Sequence, residues 1–237
     1  MPKVLLSIIA LLSAAAICSA QENAGSTAAN LNAKPKVDTS GFYMEASYGC
    51  MKTGNDLFKN FTGGSLILGA RFARHHKIQF ELGAYQSNSN NTTDTEDPYT
   101  VDVITSRLYA VPVLLSYSYC IPLDAANRFE IRISPVAGLF AGVARLTDNY
   151  YEVVNGQQVS QGDSEDSFAL GTSFAWGAGV GVTYHFTRHF YIDAGYRFLR
   201  AGKTTYDFGE NDDGTSDVST LDALKTHWFS LSLGVQF

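Results

Sequence analysis

Charged residues alternate with uncharged ones in several short segments of the sequence that are otherwise apolar. Carboxylates beside guanidinium or ammonium groups can transfer protons, line a path for ions, or neutralise one another in pairs. Four acids and four bases share this setting: Glu45, Arg71, Lys77, Glu81, Glu130, Arg132, Asp193 and Arg197. Because the two signs are equal in number, we predict a network of ion pairs.

The 5 histidines are the next candidates for chemistry, because histidine is the usual base beside a serine or cysteine nucleophile. His75, His76 and His189 lie in short polar segments, and His185 lies beside one of them. His227 alone lies near the Ser and Asp residues of a long polar segment, and no nucleophile motif accompanies it. We predict that the protein is not an enzyme; a lipid-directed activity at His227 is the alternative.

Metal-binding patterns are weak in this sequence. Cys50 and Cys120 fall on segments whose ends we place far apart, which predicts free thiols rather than a disulfide or a zinc pair. Residues 210–217 (ENDDGTSD) are similar to a calcium loop but lack its spaced acidic ligands and terminal glutamate. We therefore predict no metal and no cofactor.

The elements that position these groups are identified by alternation of apolar and polar residues. In HWFSLSLGVQF, every second residue is apolar: Phe229, Leu231, Leu233, Val235 and Phe237. A period of two predicts a strand with two unlike faces. The pattern recurs, and the eight predicted strands are 41–49, 65–72, 77–85, 106–119, 128–144, 173–186, 190–198 and 227–237. All eight charged residues fall on the less apolar face, while Pro112 predicts a bulge or local irregularity.

The amino-terminal segment predicts export. Residues 1–20 combine a basic residue, an apolar run and small residues before Gln21, which is typical of a signal peptide cleaved after Ala20. A lipoprotein acylated at Cys18 is a weaker alternative. Loss of Lys3 would change the net charge from −6 to −7. Residues 21–39 are predicted to be a flexible periplasmic lead-in, and residues 40–237 a single domain.

The connections between the predicted strands differ in length. Those after the second, fourth and sixth strands are short, whereas those after the first, third, fifth and seventh are long and polar. Short periplasmic turns and long extracellular loops are typical of outer-membrane barrels. The predicted fold is therefore all-β: an eight-stranded antiparallel up-and-down transmembrane β-barrel. An eight-stranded barrel has a lumen barely wide enough for its own inward side chains, which favours a packed, salt-bridged interior. A narrow ion path is the alternative.

This combination resembles the small eight-stranded outer-membrane barrels of the OmpA, OmpX and opacity-protein type. The signal peptide, the alternating segments, the terminal Phe237 and the Pro-containing segment LYAVPVLLSYSY carry the resemblance, which covers about residues 40–237. The resemblance implies that the last strand, with Phe229, Leu231, Leu233, Val235 and Phe237, is the signal read by the barrel-assembly machinery. A soluble lipocalin-like barrel is the rival, but its apolar residues would point inward.

The predicted loops carry most of the acidic excess. Such a surface repels nucleic acid and suits hydrated loops, or loops that share divalent cations with lipopolysaccharide. We expect an outer-membrane protein that contributes to envelope structure in contact with lipid and lipopolysaccharide. An adhesin or host-factor receptor is an alternative, as is a small-solute channel. In the adhesin the aromatic anchors would be Tyr150, Tyr151, Tyr206 and Phe208.

Overall fold

A computed structural model of the protein describes residues 41–55, 58–72, 75–97, 100–154, 157–210 and 216–237. No helix in these ranges is long and apolar enough to cross a membrane. The predicted signal peptide and lead-in, residues 1–39, lie outside the described residues. The strands are β1 (Gly41–Thr53), β2 (Asn60–Phe72), β3 (His76–Ser87), β4 (Asn90–Asp97), β5 (Thr100–Pro122), β6 (Phe129–Val154), β7 (Gln157–His185), β8 (Phe190–Ala201), β9 (Thr204–Glu210), β10 (Ser216–Leu221) and β11 (Lys225–Gln236).

Eight of these strands close into a barrel. The hydrogen-bonded order is β3-β2-β1-β11-β8-β7-β6-β5, and β3 pairs with β5 to complete the ring. Neighbouring strands are antiparallel throughout, and β1 and β11 pair from Tyr43↔Gln236 to Thr53↔Thr226. The predicted eight-stranded antiparallel barrel is confirmed, and each of its predicted strands lies largely within one of these eight elements.

The structure differs from the prediction in the segments beyond the membrane. β5, β6 and β7 run for 23, 26 and 29 residues, so polar segments that we predicted as loops continue the strands. β4 adds to β5, and β9 pairs with β10 as a separate hairpin. The first connection spans only residues 54–59. Backbone ladders need no apolar face where both faces meet water, and therefore alternation did not reveal these extensions.

The predicted faces of the barrel strands are observed. Apolar residues at alternate positions are exposed on the outside, among them Leu68, Phe80, Leu139 and Phe174 at 46–59% exposure, whereas the intervening residues are buried. Exposed apolar side chains on the outer wall of a barrel are what a lipid environment requires.

Pro112 produces no bulge. The register between β3 and β5 is the same on both sides of it, with Leu82↔Val113 and Tyr85↔Ala110, but the two intervening pairs are missing. A Cβ on Gly83 would lie 2.9 Å from Cγ of Pro112, so the proline ring occupies the space above this glycine. The absent N–H interrupts the ladder without shifting it.

A side chain organises the short turn between β5 and β6. Oδ1 of Asp124 accepts hydrogen bonds from the backbone N–H groups of Arg128 (2.7 Å) and Phe129 (2.8 Å). Together these bonds, with that of Phe129 the stronger, hold the pKa of Asp124 below its usual range. Asn127 takes a positive φ of 55°, a conformation that asparagine tolerates well.

Candidate functional site

The barrel lumen collects the charged residues singled out from the sequence. All eight are buried, with exposures of 0–4%. Three direct ion pairs join six of them. Both terminal nitrogens of Arg71 lie 2.8 Å from the carboxylate oxygens of Glu130. Nε of Arg132 donates to Asp193 at 2.8 Å, and the guanidinium of Arg197 binds Glu81.

The remaining two charged residues interact through tyrosines. Nζ of Lys77 lies over the rings of Tyr43 and Tyr191, 5.1 and 5.2 Å from their centroids. The hydroxyl of Tyr191 in turn donates to Glu45 at 2.8 Å. Cation–π contacts of this kind gain strength where water is excluded. The charge network therefore contains two tyrosines that the sequence reasoning missed.

A sequence signal for these tyrosines does exist. Tyr43 pairs across the sheet with Gly69, and Tyr191 pairs with Gly234. A Cβ at either glycine would lie within 2.4 Å of the facing tyrosine ring, so each ring lies flat over a glycine. Inward tyrosines opposite inward glycines thus mark side chains that cross the lumen.

Uncharged polar groups complete the layer. Ser65 donates to Glu81 and Thr183 donates to Asp193, both at 2.7 Å. His185 is fully buried, and its Nε2 lies 3.6 Å from Glu130. Glu81 and Asp193 therefore each meet two partners, and Glu130 has His185 beside its Arg71 partner, as buried charges require. Glu45 has the Tyr191 hydroxyl as its hydrogen-bond partner on one oxygen, and its Oε2 has no such partner among the described residues.

An apolar layer lies above the charged one, towards the long-strand end of the barrel. The rings of Trp228 and Tyr85 meet edge to face with centroids 4.8 Å apart. Arg197 lies 5.3 Å from the Trp228 ring and so joins the two layers. The layer includes Met51, Phe61, Tyr85, Leu108, Leu114, Phe140, Leu199 and Trp228.

The β9–β10 hairpin adds to this apolar layer. Gly142 and Gly171 face each other across β6 and β7 and leave a notch on the inner wall. The ring of Tyr206 fills it: a Cβ on Gly142 would lie 2.4 Å from the tyrosine hydroxyl, and one on Gly171 would lie 2.9 Å from its Cε1. Burial raises the pKa of Tyr206 to about 12.

The predicted aromatic anchors are thus not all at the surface. Tyr206 is 5% exposed, and Phe208 packs against the apolar layer. Their placement as exposed anchors is corrected, because alternate apolar residues of the hairpin turn into the barrel mouth. Tyr151 is half-buried, and the side chain of Tyr150 lies outside the described residues.

The last strand has the outward face expected from its sequence, with one difference. Phe229, Leu231, Leu233 and Phe237 are 47–62% exposed, but Val235 is buried between its cross-strand neighbours Met44 and Phe190. The backbone N–H of Phe237 donates to the carbonyl of Phe42 at 2.8 Å.

The histidine, cysteine and acidic-loop candidates stay apart from one another. Nδ1 of His227 lies 2.8 Å from the Tyr196 hydroxyl on the outer wall. Cys50 is exposed, Cys120 is buried, and neither forms a disulfide. Within the described ranges, no group of three His, Cys, Asp or Glu residues could hold a metal ion. Most of segment 210–217, namely residues 211–215, lies outside those ranges.

Comparison with known proteins agrees with this geometry. A sequence model of the outer membrane protein beta-barrel domain matches residues 9–237. The chain belongs to this family. Membership of the outer membrane protein beta-barrel domain family locates the protein in the outer membrane, in agreement with its exposed apolar wall.

Solved structures of similar fold share low identity with this family member. Neisserial surface protein A is 22% identical over 84% of this chain and 98% of that chain, with a TM-score of 0.46. Ail, the attachment invasion locus protein of Yersinia pestis, is 17% identical over 84% and 99%, with a TM-score of 0.40. OprG from Pseudomonas aeruginosa is 11% identical over 86% and 99%, with a TM-score of 0.45. No curated protein matches the chain.

Proposed function

We propose that this protein is a closed, non-enzymatic barrel that contributes to the structure of the outer membrane. The observation that carries the proposal is the filled lumen, in which a charged layer is covered by an apolar one. Arg132–Asp193 is representative of the first layer, and the Tyr85–Trp228 contact of the second. An interior built in this way supports the framework and leaves the loops for contacts outside it.

The energetics of the lumen oppose an open channel. To open a continuous path for ions, at least one buried ion pair would have to separate. Leaving a buried charge without its partner costs about 3–5 kcal/mol. Such a path would also have to wet the apolar layer around Trp228 and displace Tyr206 from its notch. Both steps are unfavourable, so we expect the closed state to dominate.

Conductance across a planar lipid bilayer tests the proposal. The full chain is reconstituted beside a wide sixteen-stranded porin, which serves as the control for insertion and detection. We expect discrete conductance steps from the porin and none from this protein. Reproducible steps from this protein, at a protein density at which the porin also inserts, would contradict a closed lumen.

A surface function is supported by a separate observation. β6 and β7 continue roughly ten residues, or about 30 Å of strand, beyond the outward apolar residues. The β-hairpin formed in this way, with β4 and β5 beside it, presents a sheet above the membrane, and Tyr151 on this sheet is the aromatic candidate whose side chain is described. Tyr150 stays a candidate from the sequence. Contacts with lipopolysaccharide, with an unidentified ligand, and of β11 with the barrel-assembly machinery are part of this proposal.

A further inference from the structure

The outer wall of β7 stays apolar over a greater length than a membrane requires. Beyond Trp176, towards the long-strand end, the outward residues are Phe174, Thr172, Leu170 and Phe168. All three apolar side chains among them are more than half exposed, and that of Leu170 is 73% exposed. We refer to these four residues, 168, 170, 172 and 174, as the upper strip.

The height of the upper strip follows from strand geometry. Phe186 directly follows β7 at the short-turn end, and Trp176 lies ten residues before it. At about 3.3 Å per residue and a tilt of about 40°, these residues span about 25 Å, the full height of the apolar band of an outer-membrane barrel. By the same geometry, Leu170 and Phe168 lie about 15 and 20 Å higher. The upper strip therefore lies above the hydrocarbon, where lipid tails do not cover it.

The two strands that follow β7 around the ring become polar at a lower level. On β8, the outward Phe198 is followed by Arg200, and on β11 the outward Phe229 is followed by His227. Phe229 lies eight residues from Phe237, which corresponds to about 20 Å of height. The apolar wall is thus about twice as tall on β7 as on these strands.

Strand β6 widens the upper strip into a patch. Val143 pairs with Leu170, and Leu139 pairs with Phe174, so apolar side chains share the outward face of both strands. At its upper end the patch meets Arg145, whose guanidinium lies over the last ring of the strip. Apolar patches that are exposed outside the lipid are typical of interaction sites.

The membrane restricts what can cover this patch. It fixes the height and orientation of every barrel, so a partner must present apolar side chains at the same level. A second copy of this chain meets that condition, because a two-fold axis along the membrane normal places Leu170 of both copies at one height. The carbohydrate headgroups found at this level are polar and provide no apolar cover.

The area of the wall agrees with the area that a stable dimer needs. From Phe186 to Phe168 the wall is about 60 Å long, and two strands are about 10 Å wide, which gives about 600 Å² per copy. Two copies would bury about 1,200 Å², the lower limit for specific interfaces. The part inside the membrane provides little more than half of this area, and lipid tails compete for it. The upper strip supplies the part for which they do not compete.

We propose that two copies of this protein associate in the outer membrane through the outer walls of β6 and β7, with the upper strip of each copy in the contact. The inference goes beyond the proposed function, since it applies to a closed and to a conducting barrel alike. It gives the tall apolar wall of β7 a role that lipid cannot fulfil.

Disulfide cross-linking in isolated outer membranes tests the proposal. The test variant is C50S/T172C, which places one exposed thiol in the middle of the upper strip. The matched control is C50S/N60C, because Asn60 is exposed at the start of β2, which lies across the ring from β7. Cys120 is buried and is kept in both variants. After a mild oxidant is added, non-reducing gels separate dimer from monomer.

We expect C50S/T172C to form at least several times more dimer than C50S/N60C, because only the first thiol lies in the contact. Adding L170T and F174T removes the apolar groups on both sides of that thiol and should lower the dimer yield several-fold. Adding V218T instead removes an exposed apolar group from the β9–β10 hairpin and should leave the yield unchanged. Heat-dependent gel mobility checks that each variant is a folded barrel.

Three results would overturn the proposal. The first is an equal dimer yield from the two thiol positions, which would indicate random collision. The second is the lack of a dimer from C50S/T172C although a maleimide probe labels its thiol. The third is a cross-linked product whose mass is not twice that of the chain, which would assign the upper strip to another partner. Conductance is measured separately, so failure of the closed lumen is distinguished from failure of the dimer.

Discussion

Arg132 reaches Asp193 by crossing a pair of glycines. Gly181 and Gly195 face each other on β7 and β8, and a Cβ on either would lie within 2.8 Å of the guanidinium group. The side chain is therefore held between the inner wall and its carboxylate partner. At the scale of single residues, glycines on the inner wall make room for the long side chain of Arg132, as they do for the rings of Tyr43 and Tyr191.

Removal of one partner from this pair should be costly. In Arg132→Ala, Asp193 keeps only the Thr183 hydroxyl, and we expect the free energy of unfolding to fall by about 3–5 kcal/mol because a buried charge is left without its partner. Urea unfolding of the protein refolded in micelles measures the change.

An exposed pair supplies the control for that measurement. Nζ of Lys203 lies 3.2 Å from Asp222, and both side chains are more than 70% exposed. Lys203→Ala should therefore change the free energy of unfolding by less than about 1 kcal/mol. If Arg132→Ala and Lys203→Ala lower the free energy of unfolding by the same amount, the buried Arg132–Asp193 pair does not stabilise the barrel more than an exposed pair does.

At the scale of elements, the seating of the β9–β10 hairpin depends on a gap in the inner wall. In Gly171→Val, the new side chain would occupy the space of Thr204 and Tyr206, so we expect the hairpin to leave the barrel mouth. Limited trypsin digestion should then cleave after Lys203 at least several times faster than in the unaltered protein.

Thr172→Val is the matched control for the hairpin. Residue 172 is the next one along β7, and its exposed side chain points to the outer wall. A valine there has nearly the same volume as the threonine it replaces and faces away from the hairpin, so the cleavage rate should be unchanged. Equal acceleration in both variants would mean that the notch does not hold the hairpin.

The barrel strands could be predicted from sequence because lipid and lumen impose opposite demands on alternate residues. Phe80 and Glu81 are adjacent, yet one meets lipid and the other a buried arginine. The extensions of β5 to β7 could not be predicted in this way, because beyond the membrane both faces meet water. Tyr206 was misplaced for a related reason: an aromatic residue in a polar segment can turn outward or into the barrel mouth.

In the lumen, which residues are buried followed from strand facing, but the pairing between them did not. Arg71 and Glu130 belong to β2 and β6, which are not neighbours in the sheet. Their contact depends on the closure and tilt of the barrel, and no spacing along the chain contains that information. The contact of Tyr191 with Glu45 of β1 was missed for the same reason, although the glycine opposite Tyr191 marks its ring as one that crosses the lumen.

At the scale of the whole molecule, the framework and the sheet above the membrane can be separated by experiment. In a barrel with residues 146–167 replaced by a tight turn, the charged and apolar layers remain. Because we attribute envelope stability to the framework, this trimmed barrel should restore bile-salt resistance to cells lacking the protein as well as the full chain does.

The comparison requires equal amounts of both proteins in the outer membrane, checked by immunoblot of membrane fractions. If only the full chain restores resistance at equal abundance, the extended hairpin binds a partner that the cell needs. The search would then move to cations, lipopolysaccharide and surface proteins.

The seam between β1 and β11 differs in kind from every other pairing in the ring. Seven of the eight pairings in the ring join barrel strands that follow one another along the chain. Only the β1–β11 pairing joins the first barrel strand to the last. At the seam, Gly41 takes a φ of 138°, and a Cβ there would lie 2.2 Å from the carbonyl oxygen of Phe237. Local hairpins can form as the chain emerges, but closure has to wait until the two ends meet. The topology therefore predicts an order of assembly in which neighbouring strands pair first and the single long-range closure comes last.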